Sequence, residues 1–440
     1  MAMTMFSLMA LQLLSPALSL KGWRSSLNSH GWIRPYSRLG GLSAHPERDR
    51  GFVGFDELRK LEDRCSALSK QESSFLLSFY SPTLKSFKLL PDTSPYRVSI
   101  TSTCMVLTAM LLNPENWRDS ARWEDEGQSQ ISLKAIVNTL QTANWTFDAF
   151  QLPVLVSTLI RLKSVDVKDP KYVQAVMTLL DQRSRISQHR NQSTSAYLRL
   201  QNARALLLVV ESGYVPYELK GTHKIGYALE RASLVAFDEM CRQLAFFNSG
   251  DLTNFDPVIL NFVTLTYFET SQSLFLKSFA RGVIPPTEMK LIKSALAIIF
   301  GVQRLDGTWQ KGEPIFKIGS SKGDIGNNYV FFFDILGCML GTMAEREPNL
   351  FAPYIPEIER CLTWAETNIL QEMMAEDCDT FGRCYGSIVK GWRSNHLGTG
   401  GAISWCTAQV FIALSGLRKL LKTLITNSIL AGAKVHSSMV

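Results

Sequence analysis

The chain has 440 residues, 46% of them apolar and 19% charged, with eight cysteines and a formal net charge of +7. It is too apolar and too weakly charged for a disordered protein, and it lacks the run of about 18 apolar residues that a membrane-spanning helix requires. Residues 1–50 carry +4 and the acid-free segment Thr380–Val440 carries +7, which leaves the middle at about −4. There is no Lys/Arg block interleaved with aromatics and no finger or helix-turn-helix spacing, so nucleic acid is excluded as a partner. The basic C-terminal segment reads as a solvated helix face, or as a face for an anionic ligand or membrane surface.

The first 46 residues hold Lys21, Arg24, Arg34 and Arg38 with no acid and are rich in Ser, Leu and Gly. That is transit-peptide composition, and the expected location is a mitochondrion or plastid. Met5–Leu20 can also be read as the apolar core of a secretory signal, but no positive side chain precedes it. Cys65, Cys104, Cys241, Cys338, Cys361, Cys378, Cys384 and Cys406 are scattered without a C-x-x-C pair. This predicts reduced, buried thiols rather than a disulfide framework.

Residues 51–96 form a helical lead-in, with a helix over Leu58–Ser78 and breaks at Pro82 and Pro91–Pro95. From 97 to 425 one design recurs, and 426–440 is a C-terminal tail. Apolar helices are predicted at Val98–Leu112, Phe150–Leu162, Ser195–Val210, Pro257–Thr270, Asn327–Met343 and Ala402–Leu417. Amphipathic helices alternate with them: Ser132–Ala143, Lys171–Ser187, Tyr227–Phe247, Pro286–Val302 and Ile355–Met374. Period-2 alternation is short wherever it occurs, so strands are not expected. Apolar helices that are hydrophobic nearly all round call for complete enclosure. The predicted fold is therefore all-α, an α/α toroid of roughly six inner and six outer helices.

Gln303-x-x-x-Gly307-x-Trp309 closes one amphipathic helix. Asp306-Gly307 supplies a tight turn, Trp309 covers a helix end, and the Gln303 amide can bond freed backbone groups. Gln141…Trp145 is a degenerate copy without the glycine, and Gln182 keeps only the glutamine. These residues resemble the repeat motif of the terpene cyclase and protein prenyltransferase β-subunit superfamily. Gly400–Gln409 also looks like a late inner-helix start of that group. The resemblance covers roughly 97–425 and implies an α/α toroid that binds or acts on an isoprenoid. The alternative is a non-catalytic toroid scaffold that binds a protein partner. The motif itself reads as a structural clasp between outer and inner helices.

The superfamily's chemistry is carried less clearly. Glu376-Asp377-Cys378-Asp379-Thr380 has Asp-x-Asp but ends in Thr where the cyclase acid has a further Asp. The zinc pattern of the transferases is also incomplete: Cys378, Cys384 and His396, with Glu376 or Asp377, are what remains for a metal. No cofactor follows from the sequence. A pair of carboxylates across a groove would serve glycoside hydrolysis, and Asp324, Asp334, Glu313 and Asp379 qualify by position. An aromatic cavity for an isoprenoid chain would draw on Phe147, Phe150, Tyr197, Phe262, Tyr267, Phe268, Tyr329, Phe331, Phe332, Phe333 and Trp405. The glycine-rich loop Lys390–Gly401, with Lys390, Arg393 and His396, is the expected anion site.

Overall fold

The computed structural model describes residues 54–81, 84–88, 100–118, 133–142, 151–181, 192–251, 254–272, 284–309, 329–373, 377–378, 384–385, 388–392 and 404–437. These residues are mostly helical. The chain opens with α1 (Phe55–Ser69), α2 (Glu72–Leu77) and a minimal hairpin, β1 (Tyr80–Ser81) with β2 (Ser86–Phe87). It continues through α3 (Ile100–Leu112), α4 (Glu115–Arg118), α5 (Leu133–Thr142), α6 (Gln151–Arg161), α7 (Pro170–Leu180) and α8 (Gln192–Glu211). Then come α9 (Lys224–Ser249), α10 (Pro257–Gln272), α11 (Pro286–Gly301), α12 (Tyr329–Ala344) and α13 (Ile355–Thr367). Two further hairpins precede the last helix: β3 (Leu370–Met373) with β6 (Ile388–Gly391), and β4 (Asp377–Cys378) with β5 (Cys384–Tyr385). The chain of helices closes with α14 (Ser404–Ser437).

Local signals set the helix ends. Asp169 caps α7, its carboxylate accepting from Lys171 N at 2.9 Å, with Pro170 in the first turn. Pro286 stands in the first turn of α11, and α9 stops at Gly250, whose φ of +76° is the left-handed cap. In α1 the buried side chains Leu58, Leu61, Cys65 and Leu68 fall on one stripe.

The packing follows the alternation of apolar and amphipathic helices. Among the apolar set, α3 packs on α6, α6 on α8, α8 on α10, α10 on α12, α12 on α14, and α14 returns to α3. The amphipathic set lies against these: α7 on α6 and α8, α9 on α8 and α10, α11 on α10, and α1 on α14. The lead-in helix α1 is thus part of the helical body. Arg64 joins it to α13, pairing with Glu359 at 2.7 Å and Glu366 at 2.6 Å.

Helices α12 and α14 approach each other closely. Gly337 lies against the backbone of Ala413, and a Cβ on Gly416 would run into the Gly337 carbonyl. The matched order of these contacts along both helices makes them parallel, and only glycine permits that approach.

Two expectations require correction. The helix expected over Ile355–Met374 ends at Thr367, because the chain turns into the β3–β6 hairpin. That hairpin is anchored by the fully buried Trp392, whose Nε1 donates to Ala365 O at 2.9 Å and whose N donates to Thr407 Oγ1 at 3.2 Å. The helix expected to end at Leu417 runs on to Ser437, so most of the supposed tail is helix. Apolar spacing continues there through the buried Leu420, Leu421 and Leu424, and Ile429 and Leu430 are exposed.

Candidate functional site

Within the apolar helices, side chains that keep accessible surface recur at helical spacing between buried ones. On α3 these are Thr101, Met105, Thr108 and Leu112; on α6, Gln151, Val154, Ser157 and Arg161. On α8 they are Gln201, Arg204 and Leu208; on α12, Asp334, Cys338 and Thr342. Glu269 of α10 and Trp405 of α14 are accessible in the same way. Residues of α6, α8, α10, α12 and α14 interact with one another, so these helices contribute to one polar cluster.

Arg204 is the hub. Its Nε and Nη2 reach Glu269 at 2.6 and 3.1 Å, a two-point guanidinium–carboxylate pair, and its guanidinium lies 6.0 Å from the centre of the Phe262 ring. Burial works against the Arg204 charge, but Glu269 and a hydrogen bond to Cys338 outweigh it and hold the guanidinium protonated. Asp334 accepts from Gln409 Nε2 of α14 at 3.2 Å and lies 3.8 Å from the Cys338 sulfur. Burial pushes the Asp334 carboxyl up to about 7, against the pull of Arg204 and Gln409. Burial, with the Asp334 charge, also pushes the Cys338 thiol up to about 12. Arg161 closes the cluster at the last residue of α6. Its side chain is exposed, and partial desolvation with the neighbouring Arg204 charge lowers its pKa. Arg204 and Glu269 keep 23% and 15% of their side-chain surface, so the pair is part-buried rather than sealed in packed core.

The arrangement holds charge without a poised nucleophile. A thiol near 12 is not a thiolate at neutral pH, and Glu269 is committed to Arg204. Asp334 is the group that changes protonation near neutrality.

The residues singled out in the sequence are distributed differently. Gln303, Gly307 and Trp309 form a compact clasp. The Gln303 amide donates to Gly307 O at 3.0 Å, Glu357 O at 3.0 Å and Cys361 Sγ at 3.2 Å, and its oxygen accepts from Arg360 Nε at 3.2 Å. Trp309 Nε1 donates to Ile299 O at 2.5 Å. The clasp therefore joins α11 to α13, two amphipathic helices, rather than an outer to an inner helix. Gln141 makes the analogous forward contact, donating to Ser164 O at 3.0 Å ahead of α7. Beside the clasp lies a shallow groove of about 450 Å3 lined by Leu305, Arg360, Trp364 and neighbouring residues.

Lys390 is exposed on β6, while Arg393 and His396 lie outside the described residues, as do Asp324, Asp379, Glu313 and Glu376. Asp377 and Cys378 sit on β4, in register with Tyr385 and Cys384. Among the described residues no group of three His, Cys, Asp or Glu side chains stands at metal-binding distance. Cys65, Cys104, Cys241, Cys338, Cys361 and Cys406 are free thiols. No described helix is long and apolar enough to cross a membrane. Of the aromatics expected to line a cavity, Phe262, Phe268 and Phe333 are at most 1% exposed and pack between helices, whereas Trp405 keeps accessible surface. Phe147 and Phe150 lie outside the described residues.

Sequence reading named Asp334 and missed Arg161, Arg204, Glu269, Cys338 and Gln409. The available signal was the isolated charge: Arg204 and Glu269 each interrupt a strongly apolar helix, where an unpaired charge is costly. Comparison with protein-family models, with curated proteins and with solved structures finds no match.

Proposed function

We propose that the helices form an α/α toroid, with α3, α6, α8, α10, α12 and α14 inside, and that its interior is a binding chamber for an isoprenoid-type amphiphile: an apolar chain with an anionic head. The observation that carries this reading is the charged cluster of Arg204, Glu269 and Asp334, with the exposed Arg161 at its edge, on a helix face that also presents Met105, Leu112, Val154, Leu208 and Trp405. Guanidinium groups suit an oxyanion head, and the apolar positions suit the chain. Binding rather than turnover is proposed, because Cys338 is held as a thiol and Glu269 as the partner of Arg204. Residues 1–50 are proposed as the targeting segment of an organelle protein.

The test is a fluorescence titration of the full chain, following tryptophan emission, with geranylgeranyl diphosphate. A saturable change in the micromolar range supports the chamber. No response from protein that is folded by circular dichroism overturns it. A second reading, a scaffold that takes a peptide segment of a partner, is favoured by the polar positions Thr101, Thr108, Gln151, Ser157, Gln201 and Thr342 on the same face. It predicts that soluble isoprenoids leave the emission unchanged.

A further inference from the structure

We infer that Cys378 and Cys384 form a reversible redox couple, a dithiol that closes to a cross-strand disulfide in the hairpin between α13 and α14. This modification site is independent of the chamber reading and lies elsewhere in the molecule.

The two cysteines stand directly opposite each other. Strand β4 pairs antiparallel with β5, with Cys378 in register with Cys384 and Asp377 with Tyr385. Directly opposed residues in such a pair have Cα atoms about 4.5 or 5.5 Å apart, depending on the rung. Both separations fall within the window of about 4.4–6.8 Å that a disulfide spans, so the bond forms without moving the backbone. The pair is nested inside β3–β6, whose register runs from Leu370 with Gly391 to Met373 with Ile388. The root of that hairpin is fixed. Trp392, next to β6, packs against the rings of Phe75 and Phe411 at 5.7 and 5.6 Å, and a Cβ on Gly391 would run into Thr407 of α14. A root held in this way opposes sliding of the strands and preserves the register of β4 on β5.

The other cysteines offer no competing pair. Cys65, Cys104, Cys241, Cys338, Cys361 and Cys406 sit one to a helix, on α1, α3, α9, α12, α13 and α14, as free thiols. Burial pushes Cys104 and Cys241 up to about 12, like Cys338, so they hold little of the thiolate that disulfide exchange requires. Two thiolates supply only half of a tetrahedral zinc set, which favours a bond between the sulfurs over a shared metal. With oxidised glutathione as the oxidant the step balances. One cysteine thiolate attacks a sulfur of the oxidant, forming a mixed disulfide and releasing one glutathione thiolate. The second cysteine thiolate attacks the protein sulfur of that mixed disulfide, forming the Cys378–Cys384 bond and releasing the second glutathione thiolate. Two protein thiols are oxidised, one glutathione disulfide is reduced to two thiols, and two protons pass from the cysteines to the leaving groups. The ring so closed, 378–384, stiffens the connection between α13 and α14.

The experiment uses the full-length chain and its Cys378→Ser, Cys384→Ser and Cys361→Ser variants. Each is equilibrated at graded ratios of oxidised to reduced glutathione, with and without urea, then quenched with N-ethylmaleimide in denaturant and digested with trypsin. Cleavage after Arg383, inside the ring, leaves 361–383 and 384–390 as separate peptides unless a disulfide joins them. Fragmentation mass spectrometry identifies which cysteines are linked, since 361–383 carries both Cys361 and Cys378. Wild type and Cys361→Ser are expected to give the joined peptides, and dithiothreitol separates them. In the native chain half-conversion is expected at a ratio about tenfold or more below that in urea, because the register, and not the short spacing in sequence, brings the thiols together. In Cys378→Ser and Cys384→Ser the joined peptides are absent and the remaining cysteine stops at the mixed disulfide with glutathione. Failure of the native wild type to join Cys378 to Cys384 at the most oxidising ratio overturns the inference. So does joining of either cysteine to Cys361 or to a second chain, or equal half-conversion with and without urea.

Discussion

Arg64 and Glu366, 302 residues apart in sequence, form a two-point ion pair, Nε and Nη2 to the two carboxylate oxygens at 3.2 and 2.6 Å. The pair fastens α1 to α13 across 302 positions of the sequence. Glu359 and Thr363 of the same α13 face add contacts at 2.7 and 2.8 Å. The side chains are about a third exposed, so solvent screens the attraction. A double-mutant cycle with Arg64→Ala and Glu366→Ala is expected to give a coupling of about 1 kcal/mol. It should shrink in high salt. A coupling near zero at low salt would mean that α1 is held by its apolar stripe alone.

Gly416 tests the α12–α14 contact. A methyl group there meets the Gly337 carbonyl, and one on Gly337 meets the Ala413 backbone; neither neighbour is a flexible side chain that can swing away. Gly416→Ala and Gly337→Ala are each expected to lower stability by about 2–4 kcal/mol, since helix separation is the only relief. Gly341→Ala, whose Cβ would come no nearer than 3.1 Å to any atom (Gly416 Cα), should cost less. Urea midpoints of the three variants check the order, and a reversal would exclude close backbone approach as the cause.

Periodicity located the helices well, because burial on one face or on all faces leaves a direct imprint on residue type. The apolar pattern over Pro257–Thr270 matches α10 at Pro257–Gln272, and Pro286 opens α11 as expected. The hairpin at 370–391 was not legible, since its anchor is a single Trp392 contacting Ala365 and Thr407, remote in sequence from the strands' own pattern. The charged cluster around Arg204 is illegible for a related reason. Five helices each contribute one or two polar residues, and only three-dimensional closure brings Arg161, Arg204, Glu269, Asp334 and Gln409 together. Aromatic residues misled because Phe262, Phe268 and Phe333 resemble a cavity lining in sequence but serve as packing between helices.

The clasp carries its own prediction. Gly307 has φ +85°, and a Cβ there would strike the Arg360 carbonyl, so Gly307→Ala adds steric overlap to backbone strain. The expected loss is about 2–4 kcal/mol. Gln303→Ala removes the donor to Gly307 O and Glu357 O together and should cost about 1–3 kcal/mol. Both losses fall on the α11–α13 junction, so hydrogen exchange should rise there first, with the Arg204 cluster unaffected. Faster exchange spread evenly over the chain would contradict a local clasp.

Glu72 sets a pH dependence that is separate from the Arg204 cluster. It is fully buried, accepting from Asn113 Nδ2 at 3.3 Å and Asn116 Nδ2 at 2.9 Å, and burial raises its carboxyl to about 8. The unfolded chain releases this proton near 4.5 and the native one near 8, so between those values the native state binds more protons. Stability from this group is therefore greatest below pH 4.5, falls as pH rises through the window, and levels off above 8, a change of a few kcal/mol. Asp334, raised to about 7, acts in the same direction. Glu72→Gln should match wild type near pH 5 and exceed it at pH 9 in urea midpoint, flattening the upper part of the profile. Asp334→Asn should flatten the part below 7. Parallel profiles for wild type and Glu72→Gln would show that the carboxyl ionises in the native state at its ordinary value, with Asn113 and Asn116 sufficient to solvate the charge.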